Sequence, residues 1–325
     1  MHRRPMMNRP EFDPTANIEL VMNGKAGHSD AGTTREVIEA GLRDARRRGT
    51  VHFAAPGELS RVAQEAAARA VASHSAVVAV GGDGTINTVA QAAHGAGCVM
   101  GVIPEGTFNY FAREHRAPTE AADALRWLLD GRPEPVQISA INDQVFLVNA
   151  SLGLYPDLLQ DRETWKGRFG RSRLVALGAG MSTLLRARQR LRLSIEWEGK
   201  LRKVRTLTLF VGNNQLQLEQ LGLSETGTGA EGSTSDGQIT AVILKPVGAL
   251  AMIGLMLRGA LGQLGEADSI ERIVCPRLVI TPSNMFGPRT VKVAYDGEVS
   301  WMNAPLTLRV LPEPLWLLKA GSRTS

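Results

Sequence analysis

Cysteine is nearly absent. Cys98 and Cys275 are the only two in 325 residues, too few and too widely separated for a disulfide framework or a metal site, which fits a reducing compartment. Aromatic residues make up only 5%, which argues against nucleic-acid binding by base stacking. Long apolar runs are also missing. The most apolar stretch, Val247–Leu264, is interrupted by Arg258 and several glycines and is too short to span a bilayer. The opening MHRRPMMNRPEFDP is basic without a following apolar core, so it reads as a flexible leader rather than a secretory signal. There is no Walker A string, no His-Glu-x-x-His and no nucleophile elbow, which closes the common P-loop, zincin and α/β-hydrolase routes. Gly227–Gly232 matches the dinucleotide fingerprint literally, but no buried strand precedes it and no amphipathic helix follows, so it is rejected.

What remains is an ordinary globular composition: 43% hydrophobic residues, a mean hydropathy of -0.08 and a length sufficient for two cored domains. Thirty-seven Lys and Arg against 32 Asp and Glu leave a net charge of +5. That excess favours anionic partners, whether nucleotides, anionic lipid surfaces or nucleic acid, without choosing among them.

The most informative stretch is Ala76–Ala93, AVVAVGGDGTINTVAQAA. A short β-branched run suits a strand buried on both faces. Gly81, Gly82 and Gly84 then break it, and helical spacing resumes from Thr85. Strand, glycine turn and helix together aim backbone N–H groups and a helix N-terminus at an anion. Asp83 stands out, because a loop built for phosphate would ordinarily avoid a carboxylate. It makes sense bridged to phosphate by a metal ion, or handling the proton of an attacking hydroxyl. A tight βα turn with Asp83 as helix N-cap accounts for the same residues.

Around it, strands at Ile18–Met22, Val51–Ala54 and Val99–Ile103 alternate with helices at Thr33–Arg48, Glu58–Ala72 and Thr119–Leu129. This alternation predicts a parallel sheet with helices on both faces. Three strands end in polar glycine loops: Asn23–Gly27, Gly81–Thr85 and Glu105–Asn109. Their ends open on one edge of such a sheet, so the loops can converge on one crevice. Lys25 adds a positive charge where phosphate would lie, although Asn23–Gly27 alone reads as an ordinary turn. After about Pro135 come closely spaced strand-like segments: Val136–Ile138, Val145–Ala150, Leu191–Trp197, Val204–Val211, Gln238–Leu244, Leu278–Thr281, Val291–Tyr295 and Leu306–Val310. They predict an antiparallel sandwich or half-barrel, interrupted by helical stretches near Ser172–Arg190 and Val247–Leu261.

GGDGTINTVAQA followed some twenty residues later by PEGTFNYFAR resembles the diacylglycerol kinase catalytic-domain family of soluble bacterial lipid kinases, sphingosine kinases and ceramide kinases. The likeness extends to Asn23–Gly27, to Ser235-Asp236-Gly237 and to Tyr295-Asp296-Gly297-Glu298. The Asp83 loop by itself is shared with NAD kinases and phosphofructokinases. The resemblance implies an α/β plus β fold: a doubly wound parallel-sheet nucleotide domain, residues 1–135 completed by 304–325, and an antiparallel β-sandwich domain for the lipid substrate, residues 136–303. It implies ATP and Mg²⁺, with ATP along the three glycine loops and the lipid head group entering between domains. Asn23, Lys25, Gly27, Gly81, Gly82, Gly84, Thr85, Gly106, Thr107 and Asn109 would line the nucleotide site, with Asp83 catalytic and metal-binding. Glu298 matches the family's general base. Asp236 matches a structural Mg²⁺ acid of some members; on local grounds both Asp-Gly pairs, Asp236-Gly237 and Asp296-Gly297, read as hairpin turns, and a plain turn is the favoured reading of Asp236.

Thr88 and Tyr110 depart from the family pattern, which commonly has Glu and an Asp or His at these positions. Glu105 replaces a usual apolar residue, and Ser235 stands where a second acid is common. Eight basic residues, Lys166, Arg168, Arg171, Arg173, Arg186, Arg188, Arg190 and Arg192, surround the expected 172–190 helix. They suit transient docking of a cytoplasmic protein on an anionic membrane, and a solvated basic face explains them equally. The rival functions are an NAD-kinase-like enzyme for a soluble substrate and a non-catalytic nucleotide-binding regulator. Oligomeric state is left open, a dimer being one option.

Overall fold

The computed structural model describes residues 9–24, 28–55, 57–153, 191–213, 237–245, 270–283 and 290–320. The expectations placed on Lys25, Gly27, Asp236, the two helical stretches near 172–190 and 247–261, and all of the basic cluster except Arg192 lie outside them.

The chain divides into two units, residues 1–138 with 311–325, and residues 139–310. In the first unit, β1 (Ile18–Asn23), β2 (Gly49–Ala54), β3 (Ala76–Gly81) and β4 (Val99–Pro104) alternate with α1 (His28–Asp44), α2 (Leu59–Ala72) and α3 (Asp83–Ala96). A short α4 (Tyr110–Glu114), α5 (Ala121–Leu129) and β5 (Gly131–Val136) follow, and the chain returns at its end as β18 (Leu315–Ala320). The sheet runs β2-β1-β3-β4-β18-β5. All its neighbours are parallel except β18 and β5.

Alternation along the strands explains the layering. Ile18, Leu20 and Met22 of β1 and Ala76, Val78 and Val80 of β3 share a core with Ile38 and Leu42 of α1 and Leu125 and Leu128 of α5. The intervening Val21, Val77 and Ala79 are equally buried. They face the other side, where α2 packs on β1 and α3, and α3 on β3. With both faces covered, every residue of β3 and β4 is buried. Each large apolar side chain so enclosed stabilises the fold by roughly 1.5–3 kcal/mol.

Several elements differ from expectation. α1 runs His28–Asp44 rather than Thr33–Arg48, because Arg46 takes a left-handed φ of 52° and closes the helix. The stop signals Gly131 and Pro133 do end α5, yet the same residues form β5. Its two prolines are tolerated because β5 is an edge strand.

In the second unit two six-stranded sheets enclose one core. The first runs β10-β9-β14-β17-β6-β7, built from β6 (Ser139–Ile141), β7 (Gln144–Phe146), β9 (Leu191–Trp197), β10 (Lys200–Thr206), β14 (Arg277–Pro282) and β17 (Leu306–Val310). The second runs β13-β12-β11-β8-β15-β16. Its strands are β8 (Asn149–Gly153), β11 (Thr208–Gly212), β12 (Ile239–Leu244), β13 (Ile270–Cys275), β15 (Thr290–Tyr295) and β16 (Glu298–Asn303). Among the described residues, all neighbouring strands in both sheets are antiparallel. Leu193, Ile195, Leu278 and Leu308 from one sheet interleave with Leu152, Leu209, Ile243 and Val293 from the other.

The single strands expected at Val204–Val211 and Val145–Ala150 are each two. One breaks at Leu207 and the other at Leu147-Val148. The chain leaves the second unit after Val310, not at 304. β17 pairs with β14 and β6, and this binds residues 306–310 to the second unit.

Candidate functional site

Within the first unit, the turns after β3 and β4 close on each other. Gly82 caps α3 with extended backbone (ψ -178°), and a Cβ at Gly106 would lie 2.8 Å from the Gly82 Cα and 2.6 Å from Asn109 Oδ1. Only two glycines allow this approach. A bond from the Glu105 N–H to the Gly81 carbonyl, 3.0 Å, ties the turns together.

Asn109 organises the second turn. It sits at φ 49°, a region Asn tolerates better than most residues, and it is buried. Its Oδ1 accepts from the Gly106 N–H at 2.9 Å, and its Nδ2 donates to the Gly106 carbonyl at 2.7 Å. Asn109 is also the residue before α4, and its own N–H donates to Asp83 Oδ2 at 3.0 Å. Asp83 therefore does not cap its own helix. Gly82 does that, while the Asp83 carboxylate reaches across to the N-terminus of α4.

The second carboxylate oxygen, Asp83 Oδ1, is buried and has no hydrogen-bond partner among the described residues. Burial pushes the Asp83 carboxyl above its ordinary value, and the N–H groups of Asn109, Tyr110 and Phe111 only partly offset this. A buried acceptor without a donor is costly. It is also the arrangement a cation or a proton would relieve.

The remaining residues divide. Asn23 ends β1, half-buried, and Gly24 bonds to the Ala54 carbonyl at 3.0 Å. Gly84 lies in the first turn of α3, whose N–H groups have no intrahelical acceptor, and Thr107 is exposed in the turn after β4. Thr85 is buried, its side chain packed against Gly81, so it offers the site its backbone rather than its hydroxyl. Thr88, one of the departures from the family pattern, donates to the Gly84 carbonyl at 2.9 Å within α3. Tyr110 stacks on Phe108, ring centroids 5.5 Å apart and 3° from parallel.

In the second unit, Glu298 is exposed at the start of β16. Tyr295 pairs with it across a two-residue turn, and Asp296 and Gly297 both have positive φ, 43° and 88°, as a type I′ hairpin requires. Sequence reasoning read this Asp-Gly pair as a turn signal and missed its second role. The Asp296 carboxylate is buried and accepts from three consecutive backbone N–H groups: Leu147 at 2.7 Å, Val148 at 2.9 Å and Asn149 at 3.0 Å. Asp296 thereby fixes the hairpin that presents Glu298. No local pattern announces it, since the three donors lie nearly 150 residues earlier in the chain.

Among the described residues no cluster of three or more His, Cys, Asp or Glu could hold a metal ion, and no helix is long and apolar enough to cross a membrane.

Residues 17–141, which contain both turns, match the diacylglycerol kinase catalytic domain. A protein named "Probable lipid kinase YegS-like" from Serratia proteamaculans (strain 568) is 35% identical over 148 residues, covering 43% of this chain and 46% of that protein. Its namesake from Pseudomonas aeruginosa (strain UCBPP-PA14) is 37% identical over 140 residues, 42% of this chain and 44% of its own length. The chain thus spans about half the length of the curated relatives it matches. A crystal structure of a diacylglycerol kinase from Bacillus anthracis str. Sterne shares the fold, with a TM-score of 0.64 at 18% identity over 93% of this chain and 96% of that one. Over residues 17–141, the chain is thus similar to the diacylglycerol kinase catalytic domain.

Proposed function

We propose that this protein is a lipid kinase that transfers the γ-phosphate of ATP to a hydroxyl of diacylglycerol or a related lipid, as a cytoplasmic protein that visits the membrane transiently. The family match over residues 17–141, spanning both closed turns, carries the reading.

Phosphoryl transfer asks a protein to align two oxygens and neutralise charge. The backbone N–H groups at Gly82–Thr85 and the turn Gly106–Asn109 receive the phosphates, with Asn23 at the end of the neighbouring strand; Lys25 and Gly27 are added from the family resemblance. Gly81 and Gly82 keep the main chain bare enough for close approach. Asp83 suits Mg²⁺ because its Oδ1 is buried without a donor. Asp83 would hold the ion beside the nucleotide, and the ion would supply positive charge that offsets the phosphates. Asp236 is the corresponding candidate for a structural ion. Glu298 accepts the proton of the lipid hydroxyl as its oxygen bonds to the γ-phosphorus, and the bond from that phosphorus to the β–γ bridging oxygen breaks to release ADP.

The test is incubation with γ-labelled ATP and a mixed lipid extract, followed by chromatography. Labelled lipid is expected. Label on NAD instead would move the protein to the soluble-substrate kinases, and tight ATP binding without transfer to any lipid would make it a regulator. A positioned base contributes roughly a hundred- to ten-thousand-fold, so Glu298→Gln should bind ATP normally and lose turnover by that factor. Near-normal turnover would remove Glu298 from the mechanism.

A further inference from the structure

The outward side of the β10-β9-β14-β17 sheet is charged in an unusual way. Leu193, Leu278 and Leu308 point into the core, so their neighbours Arg192, Arg277 and Arg309 point away from it. Val204 packs against the same core, which turns Lys203 and Arg205 outward too. The register sets Arg205 directly opposite Arg192, and Arg277 directly opposite Arg309. Directly opposed side chains on antiparallel strands lie about 5 Å apart at Cβ, where like charges destabilise the pair. Among the described residues, none of the five cations is ion-paired. Arg309 only donates to the Asn142 carbonyl. Glu196 is the one acid at the outward positions of these four strands.

The other side of β10 behaves differently. Arg202 pairs with Glu271 of β13, so a charge facing that way is neutralised by the fold itself. On the outward side Arg192, Lys203, Arg205 and Arg277 are exposed without such relief, and Leu201, two residues before Lys203, is 68% exposed beside them. Uncompensated repulsion is relieved by an external anion. A second copy of the same face would bring more positive charge. Nucleic acid would look for rings to stack on, and the outward positions offer none.

We propose that this face docks on an anionic membrane, its five cations meeting lipid head groups while Leu201 enters the interfacial layer. This rests on the lipid-kinase reading for its purpose, since the substrate would lie in that membrane, but not for its charge. It also places membrane contact on a sheet, where the sequence suggested the 172–190 helix. Arg192 belongs to both.

Co-sedimentation of the full chain with vesicles of phosphatidylcholine, with and without phosphatidylserine, tests it. Binding is expected only with phosphatidylserine and should fall with salt. Each charge near such a surface adds about 1 kcal/mol, roughly fivefold in affinity. Lys203→Gln, Arg205→Gln and Arg277→Gln combined should therefore weaken binding about a hundredfold. The same charge removed at the exposed Arg43, Arg46 and Arg48 should have far less effect. A melting temperature no lower than wild type would show the outward variant folded, as relief of repulsion predicts.

Equal vesicle binding by the outward variant and wild type would overturn the proposal. So would wild-type indifference to phosphatidylserine, or a face that instead mediates dimerisation or binds RNA. Kinase failure reads out separately: vesicle binding lost while turnover of detergent-dispersed lipid survives supports docking, and vesicle binding without any phosphoryl transfer leaves docking standing while the kinase reading falls.

Discussion

Replacing Asp83 in two ways separates a capping residue from a functional one. Asp83 Oδ2 accepts the Asn109 N–H at 3.0 Å, while Oδ1 is buried without a donor. Asp83→Asn keeps an acceptor for that N–H and removes the charge. Burial raises this carboxyl in the folded state, so its share of stability is present below the unfolded value of 3.8 and lost as pH rises through the folded one. Asp83→Asn should accordingly melt at or above wild type once the pH exceeds the folded value, with the gap closing below 3.8. Asp83→Ala loses the cap at the N-terminus of α4, worth about 1 kcal/mol, or roughly 2–4 °C in melting temperature for a unit of this size. Turnover should divide otherwise. If the orphaned oxygen serves phosphoryl transfer, both variants lose on the order of a hundred- to a thousand-fold, the cost of removing one preorganised electrostatic group. Calorimetry beside the labelled-ATP assay reads both quantities on the same samples. A stable Asp83→Asn protein with wild-type turnover would refute the reasoning and leave Asp83 a helix cap.

Three further outcomes follow from the geometry. Gly106→Ala places a Cβ 2.8 Å from the Gly82 backbone, so the two turns must part; nucleotide affinity should drop by at least about tenfold while the melting temperature falls only a few degrees, since overpacking costs roughly 1–3 kcal/mol. Asp296→Ala strands three buried N–H groups, and denaturant unfolding should show a loss of about 3 kcal/mol or more; a loss below 1 kcal/mol would mean water replaces the carboxylate. His115, held by burial and Lys319 at about 3 against an ordinary 6.5, stays neutral in the folded protein, so its stabilisation is complete above 6.5 and is lost as pH falls towards 3. Wild type should lose up to about 1.4 kcal/mol per pH unit across that window that His115→Phe does not, and parallel pH–stability curves would contradict the burial.

Local pattern revealed the buried strands and the two glycine turns, because both depend on neighbours in sequence. β3 and β4 are apolar on both faces and read as such. The strand Ile18–Met22 also reads correctly despite Glu19, whose buried carboxylate is met by His52 at 2.5 Å, Asn17 at 2.7 Å and Arg69 at 3.2 Å. Those partners lie up to 50 residues away, so periodicity shows the strand but not how it tolerates an acid. Pro133 and Pro135 hid β5 for a related reason: a proline forbids a central strand and permits an edge, and only the assembled sheet tells which applies. In the candidate site, the glycines and Asn109 were legible as a turn. That Asp83 reaches α4 rather than capping α3 was not, since the turn after β4 had first to be brought against Gly82. Asp296 was hidden behind its own hairpin signal.

The position of β18 has a consequence for how the protein is made. It lies between β4 and β5 and bonds to both, yet about 170 residues of the other unit are synthesised between β5 and its arrival. At translation rates of about 5–20 residues per second, β4 and β5 wait roughly 10–35 s with open edges on the nascent chain. Such edges invite pairing with other chains. A ribosome-bound or truncated first half is therefore the most aggregation-prone form of this polypeptide, and one supplied with residues 311–320 in trans should be rescued.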